Sequence, residues 1–461
     1  MDLATVILAA GKGTRMKSKF PKVLHNVCGG TMLSYVLDAA HGAGVKKIIV
    51  VVGYGAEQVA REVAGRAQIV SQPEQLGTAH ALLQAGPLLR DFNGHLLVLC
   101  GDTPLIEAGT LAELIQSHRS TGAAATVLTA RLEDPAGYGR VVRDNQGGVV
   151  RIVEQKDASP EEQQIREVNT GIYCFKTEGL FADLSRLTPN NAQGEYYLTD
   201  IIEKNVRRGR RVGAVTLANP LEMKGINDRV QLAEAGRYMR RRILRDLMLS
   251  GVTVIDPHSA FVDRKVQVGR DTIIYPHTFI EGDTVIGEGC VIGPGARLVN
   301  AVVGNGVSIQ YSVVNGSSME DGCSIGPFSH LRPGNSLGPQ VKIGNFSEIK
   351  KSIVGDGSKV SHLSYVGDAT IGKNVNIGAG TITCNYDGRN KWPTWIDDGV
   401  FIGSNTNLVA PVKIGAGSVT GAGSTITKDV PAGSLAVERS KQTVIPDWSK
   451  RDKNKKDETQ N

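Results

Sequence analysis

The chain has no apolar run near the roughly 18 residues that a membrane span needs. It has no CxxC pair, no GxxxxGK[ST] phosphate loop and no GxGxxG fingerprint. The first absence argues against membrane insertion. The second, with six cysteines scattered at Cys28, Cys100, Cys174, Cys290, Cys323 and Cys384, argues against a disulfide frame or a zinc site and for a reducing compartment. Met1-Asp2-Leu3-Ala4-Thr5 enters an apolar strand without a basic flank or a small-residue cleavage site, so the expected location is cytoplasmic. The net charge is only +6, and its basic clusters (Arg207 to Arg211, Arg240 to Arg242, Lys450 to Lys456) do not interleave with aromatics. No nucleic-acid partner is therefore expected. Solvated faces and small anionic substrates account for the charge.

What the chain has is glycine, 55 residues of it, much of it in one periodic stretch from Val262 to Ile426. Val268, Ile274, Ile280, Ile286, Ile292 and Leu298 recur every sixth position. After an irregular stretch Ile325, Leu331, Leu337, Ile343 and Ile349 do the same, and later Ile396, Ile402, Leu408 and Ile414. A period of six fits neither an amphipathic helix nor an alternating strand. It predicts a parallel β-helix built of hexapeptide repeats, with the apolar residue pointing inward and glycine at tight corners. Nine or so coils at about 4.8 Å would make a rod on the order of 40 Å long.

At 461 residues the chain exceeds one core. Before the ladder, strand-helix alternation predicts an α/β, Rossmann-like domain with a parallel sheet over residues 1–229. Leu232, Ala235, Met239, Ile243 and Leu247 then predict a linker helix over 230–250, capped by Asn227 or Asp228 and ended by Gly251. Residues 251–461 hold the rod and a polar tail from Lys450 that is expected to be disordered. Arg240 to Arg242 are expected on the helix's wet face.

In the first domain, Leu3 to Ala10 reads as a buried strand that opens into Gly11-Lys12-Gly13-Thr14-Arg15. Open amides there can cradle phosphate, and Arg15 and Lys22 add positive charge to the same mouth. A GxG turn is also common for backbone reasons alone. Asp102, at a strand end, reads equally as a Mg²⁺ ligand or as a turn aspartate. His80 is expected to pack or cap its helix, and Cys100 to be a strand residue.

Leu8-Ala9-Ala10-Gly11-Lys12-Gly13-Thr14-Arg15-Met16, followed by Pro21-Lys22, resembles the signature of sugar-1-phosphate nucleotidylyltransferases. Gln72 to Ala81 is similar to the segment in which that family reads uracil, and Gly101-Asp102 to its metal-aspartate motif. The resemblance implies that Leu8, Ala9, Ala10, Gly11, Gln72, Gly77 and Thr78 hold the uridine of UTP. It implies that Arg15 and Lys22 neutralise the triphosphate as catalytic groups, and that Asp102 and Asn227 bind Mg²⁺. Gly139, Glu154 and Asn169 are implied in sugar contact, with Lys22 and Asn227 also touching the nucleotide sugar.

Along the rod, inward side chains cannot do chemistry, so candidates are residues that break the ladder. They concentrate late, at His330 to Gly334, Glu348 to Lys351, His362 to Tyr365, Asn376 to Gly380 and Thr383 to Gly388. Arg389 to Thr394 reads as an inserted loop. Arg332 and Lys350 lie one coil apart and Tyr365 a little short of the next, an arrangement expected to stack all three on one edge. Glu348 and His362 lie within a coil, so a glutamate-held histidine is the expected general base. His362 alone would read as a surface polar residue; the cluster around it reverses that.

This half resembles the acetyltransferase part of the bifunctional N-acetylglucosamine-1-phosphate uridyltransferase and glucosamine-1-phosphate N-acetyltransferase family. The resemblance spans both halves and the linker, and implies a left-handed β-helix. It implies His362 as base with Glu348 orienting it. Arg332, Lys350, Tyr365, Asn376 and Lys391 would bind glucosamine-1-phosphate. Ala379, Asn385, Tyr386, Ser404, Ala422 and Arg439 would bind acetyl-CoA. It further implies a homotrimer whose acetylation sites form between neighbouring rods. Two alternatives stand beside it. One is a single-activity nucleotidylyltransferase with a structural or regulatory rod, against which His362, Lys391 and Arg439 argue. The other is a translation-factor-like assembly protein, which the Arg15, Lys22 and Asp102 set disfavours.

Overall fold

The computed structural model describes residues 2–450. The tail beyond Lys450, expected to be disordered, lies outside the described residues. The chain forms two compact units, the first ending at Arg242 and the second beginning at Ile243.

The first unit is built on a nine-stranded sheet. Its strands are β1 (Asp2–Ala9), β2 (Lys47–Val52), β3 (Gln68–Ser71), β4 (Gly94–Cys100), β5 (Ala125–Arg131), β6 (Arg140–Arg143), β7 (Val149–Val153), β8 (Glu167–Lys176) and β9 (Val212–Thr216). The order is β9-β5-β8-β4-β1-β2-β3, with the β6/β7 hairpin attached to β8. The β1, β2 and β4 sequences are nearly continuous apolar runs because helices cover both faces, and two buried clusters result. The alternation predicts a parallel sheet, but the sheet is mixed. β8 runs antiparallel to β4 and β5. The chain reaches it through the β6/β7 hairpin and not a helical crossover, so nothing imposes the parallel direction.

A helix, Arg229–Leu249, follows. Asp228 caps it: its Oδ1 accepts from Gln231 N at 2.8 Å, while Gln231 Oε1 accepts from Asn227 N at 2.7 Å. Gly251, at φ +98°, ends it. Arg242 is not on the wet face. It donates to the Leu105 carbonyl at 3.2 Å and to Glu107 at 2.7 Å.

The second unit winds one chain into three parallel sheets of eleven, ten and nine short strands. Ile274, Ile292, Ile309, Ile325, Ile343, Val360, Ile377 and Ile402 stack in the first. Successive rungs of the sequence ladder thus belong to successive faces, and all enter one buried core. Burial of each such side chain contributes roughly 1.5–3 kcal/mol. Eleven strands at about 4.8 Å make the rod longer than the sequence ladder predicts, because Val254 and Ala436 extend the pairing at both ends. The irregular stretch after Leu298 is no break. The chain reaches Val303, Val314 and Met319 in steps of five, and the pairing runs on through them. Ile377 pairs with Ile402, 25 residues on, so one coil carries the insertion.

At one corner of the prism Tyr311, Phe328 and Phe346 stack at ring-centroid distances of 5.6 and 5.4 Å. All three are about half exposed, and all three have left-handed backbones, at φ 44°, 60° and 58°. That conformation costs a non-glycine residue on the order of 1 kcal/mol.

Candidate functional site

The glycine turn leaves β1 and passes through Gly13, at φ +61°. A Cβ there would fall 2.6 Å from Lys22 Cβ, so only bare backbone lets Lys22 approach the turn. Gly101 N donates to the Leu8 carbonyl at 2.9 Å, which sets Asp102 at the same mouth, and Ile226 N donates to the Asp102 carbonyl at 3.0 Å. Lys22 Nζ then donates to Asp102 Oδ2 at 2.5 Å and to Asn227 Oδ1 at 3.0 Å. A carboxylate and an amide oxygen converge on one cationic nitrogen. These are hard oxygen donors of the kind that would suit Mg²⁺. No cluster of three His, Cys, Asp or Glu side chains able to hold a metal exists among the described residues. Arg15 is exposed nearby and has no ion-pair partner among them.

Gln72 N donates to the Val52 carbonyl at 2.7 Å. Its buried amide donates to the Gly77 carbonyl at 3.3 Å and lies 3.0 Å from His80 Nδ1. His80 Nε2 in turn lies 3.0 Å from the Gln84 amide. His80 therefore does more than pack or cap: it holds Gln72. Gly77 sits at φ +118°, where a Cβ would lie 2.6 Å from the Tyr196 carbonyl oxygen. Thr78 Oγ1 accepts from Leu198 N at 3.1 Å.

The structure also brings Gly139, Glu154 and Asn169 together. Asn169 N donates to the Gly139 carbonyl at 2.9 Å, and a Cβ on Gly139 would lie 3.3 Å from Glu154 Oε2. Burial pushes the Glu154 carboxyl upward, Asp157 adds to this, and a hydrogen bond with Thr199 opposes it. Cys100 is pushed up to about 12, first by burial and then by Asp102, so it stays a thiol. One contributor was missed by the sequence reading. Arg140 is 2% exposed with no ion-pair partner among the described residues. It donates to the Tyr138 carbonyl, to Gln155 Oε1 at 2.8 Å and to the Gln163 carbonyl at 3.4 Å, bracing the Gly137 to Gly139 turn. A buried arginine leaves no periodic trace in a sequence.

On the rod, pairing decides which residues meet. Asn345 pairs with His362, and Glu348 pairs with Tyr365. The expected Glu348–His362 hydrogen bond is not the one made. The coil between is seventeen residues long, which carries His362 over Asn345 instead. His362 Nδ1 lies 2.6 Å from Asn345 Oδ1, while Glu348 pairs with Arg332 at 3.0 Å. An amide oxygen only accepts, so Nδ1 is the donor, which in the neutral ring places the lone pair on Nε2. For the same reason Tyr365 stacks on Glu348 and not on the Arg332–Lys350 edge. Asn345 could have been found as the residue one coil below His362.

Above His362 the same corner continues. Gly380 N donates to the His362 carbonyl at 3.3 Å, Asn405 N to that of Ala379 at 2.7 Å, and Gly423 N to that of Ser404 at 2.8 Å. Arg439 Nη1 closes the series on the Ala422 carbonyl at 2.8 Å. His362, Ala379, Ser404, Ala422 and Arg439 thus form one ascending track with small side chains in the middle. Asn376 lies on the sheet that leads into this corner, where it pairs with Lys359 and Phe401.

Lys350, 7% exposed, donates to Asp368 Oδ2 at 3.1 Å. Its ammonium is held above the usual lysine range, with Lys391 and then Asp368 as the causes, and Lys391 is correspondingly lowered. The insertion begins earlier than expected, since Trp392 N already donates to the Asn385 carbonyl at 2.8 Å. Tyr386 and Lys391 form an antiparallel bridge. The Asp387 carboxylate accepts from Arg389 N, Asn390 N and Trp392 Nε1 at 2.8, 2.6 and 2.8 Å.

Residues 4–219 match the nucleotidyl transferase family, and residues 265–300 and 393–428 match the bacterial transferase hexapeptide family of six repeats. The rod is accordingly a left-handed hexapeptide β-helix. The stretch between the two matched blocks holds the shortened coils and the insertion. A bifunctional protein GlmU from Pelotomaculum thermopropionicum is 70% identical over 456 residues, covering 99% of this chain and 100% of the relative. Proteins of the same name from Heliobacterium modesticaldum and Carboxydothermus hydrogenoformans are 57% and 55% identical over 95% and 96% of this chain, covering 96% and 99% of those relatives.

Proposed function

We infer the chemistry from one premise: this chain belongs to the bifunctional GlmU family. It is an enzyme with two activities in the synthesis of UDP-N-acetylglucosamine. It transfers acetyl from acetyl-CoA to glucosamine-1-phosphate, and uridylyl from UTP to N-acetylglucosamine-1-phosphate with release of pyrophosphate. The residue roles, the metal, the assembly and the location are proposals.

In uridylyl transfer a sugar-phosphate oxygen attacks the α-phosphorus of UTP and pyrophosphate leaves. The nucleophile is already anionic, so positioning and charge neutralisation suffice without a strong base. Leu8 to Gly11, Gln72, Gly77 and Thr78 hold the uridine. Arg15 and Lys22 balance the triphosphate, and Gly139, Glu154 and Asn169 orient the sugar. Asp102 and Asn227 would hold Mg²⁺, which when bound neutralises phosphate charge. The convergence of their oxygens on Lys22 supports this reading.

In acetyl transfer His362 Nε2 takes a proton as the glucosamine amine attacks the thioester carbonyl. The C–S bond breaks and CoA leaves as the thiolate. Arg332, Lys350 and Lys391 bind the sugar phosphate, with Tyr365 and Asn376 beside it. Ala379, Ser404, Ala422 and Arg439 bind acetyl-CoA along the ascending track, and Asn385 and Tyr386 bind it from the Lys350 corner. Glu348 acts through Arg332. His362 and Lys350 stand at opposite corners of one face of the rod. That separation supports a homotrimer in which a neighbouring rod completes the site, and the exposed aromatic corner supports the same reading. The protein is proposed to act in the cytoplasm. Among the described residues no helix is long and apolar enough to cross a membrane. We keep domain boundaries at 1–229, 230–250 and 251–461 as the functional division.

The carrying observation is that each constellation lies within its own unit. The test is a paired assay. Asp102→Ala should lower pyrophosphate release at least about 100-fold and spare CoA release, and His362→Ala should do the reverse. Wild-type acetyl transfer in His362→Ala would remove that residue from the mechanism.

A further inference from the structure

Lys350 and Asn385 are assigned to different substrates, yet they end on the same oxygen. Lys350 Nζ donates to Asp368 Oδ2 at 3.1 Å, and Asn385 Nδ2 donates to that same Oδ2. Asp368 occupies a coil corner at φ +51°, a left-handed conformation unfavourable for a residue with a side chain. Its backbone is fixed on both sides. Its N–H donates to the Lys350 carbonyl at 2.9 Å, and its carbonyl accepts from Thr394 N at 3.2 Å, where the inserted loop rejoins the rod.

The surroundings leave this carboxylate little freedom. A Cβ on the adjacent Gly367 would lie 2.5 Å from the Tyr365 hydroxyl and 2.8 Å from Asn385 Nδ2, so the bare glycine is what admits both groups. Lys350 is nearly buried, and a buried ammonium requires a counter-charge. Lys391 stands beside it, and Asp368 attracts both side chains. Asp368 has no place in the family motifs quoted above. It is found only by stepping about one coil up from Lys350 or down from Asn385.

We propose that Asp368 is a positioning residue for acetyl transfer, fixing the phosphate-binding Lys350 and the acyl-donor-binding Asn385 to each other through one carboxylate oxygen. The proposal rests on the acetyltransferase reading of the rod. Asp368 acts through both side chains, so its loss must appear in the binding of both substrates.

The experiment uses the full-length chain with Asp368→Asn, which is nearly isosteric, and Asp368→Gly, which keeps the left-handed corner while deleting the carboxylate. In each variant KM for glucosamine-1-phosphate and KM for acetyl-CoA should both rise, by roughly tenfold for loss of a hydrogen bond to a charged group. Lys350→Met should raise only the first and Asn385→Ala only the second. In the double variant Asp368→Asn/Asn385→Ala the two effects on KM for acetyl-CoA should be less than multiplicative. A merely structural Asp368 would lower the amount of folded protein and leave both KM values unchanged. That result, a change for one substrate only, or a multiplicative double variant overturns the proposal. A wild-type chain that transfers no acetyl group overturns the reading beneath it, and the proposal with it.

Discussion

His118 is fully buried in the first unit, its Nδ1 2.8 Å from Thr126 Oγ1 and its ring edge-on to His95. Burial first, then the nearby His95, Lys176 and Arg119, pull it down to about 4. His95 is lowered in the same direction, again mainly by burial. The folded protein therefore holds His118 neutral while the unfolded chain takes up a proton below about pH 6.5. The sign follows from linkage: this stability is complete above about pH 6.5 and is lost as pH falls toward about 4. Unfolding free energies from urea titrations at about pH 7 and about pH 5 should differ by on the order of 2 kcal/mol, and His118→Gln should flatten that slope. Equal slopes in variant and parent would exclude His118 as the source. At this scale the sequence is legible where a residue type answers a local demand. Gly13 was visible as a turn glycine and Asp102 as a strand-end acid. His118 and Arg140 were not, because a polar group buried in a sheet domain has no fixed spacing from its partners.

Among elements, the rod was the easiest to read and the inserted loop the hardest. The ladder declares itself because inward positions repeat with the coil. The loop has no period, and what orders it is one carboxylate. Asp387 is held down at about 2, first by the Asn390 amide, then by the Trp392 ring and the Arg389 amide. Its hydrogen bonds thus persist throughout the range in which an enzyme is assayed. Asp387→Ala should unfasten the hairpin that presents Lys391, raising KM for glucosamine-1-phosphate roughly tenfold, with little change in thermal midpoint because the rod's core is untouched. An unaltered KM would mean that Lys391 needs no hairpin. The antiparallel course of β8 escaped the sequence for a different reason. Strand patterns record burial and not direction, and the hairpin before β8 was not recognised as the connection that reverses it.

For the whole molecule the open question of assembly turns on the stacked corner. Tyr311, Phe328 and Phe346 spend backbone strain to present aromatic faces to solvent, and aromatic side chains dominate interface energies. Phe328→Asn/Phe346→Asn removes the rings with a residue that tolerates the left-handed corner. Sedimentation equilibrium should show at least about tenfold weaker association, with acetyl transfer falling in step and uridylyl transfer maintained. An unchanged sedimentation profile would place the interface elsewhere. The nearest-neighbour pairing of coils has one more consequence. Because each coil bonds only to those directly above and below, the span from Asn345 to Arg439 depends on no early coil. The number of early coils can therefore change without altering that span. Excising one whole turn between Ile280 and Leu298 would shorten the shaft by about one strand spacing and leave the chemistry at its top intact. Selection could therefore tune reach and reactivity separately, a freedom a globular domain with a single shared core lacks.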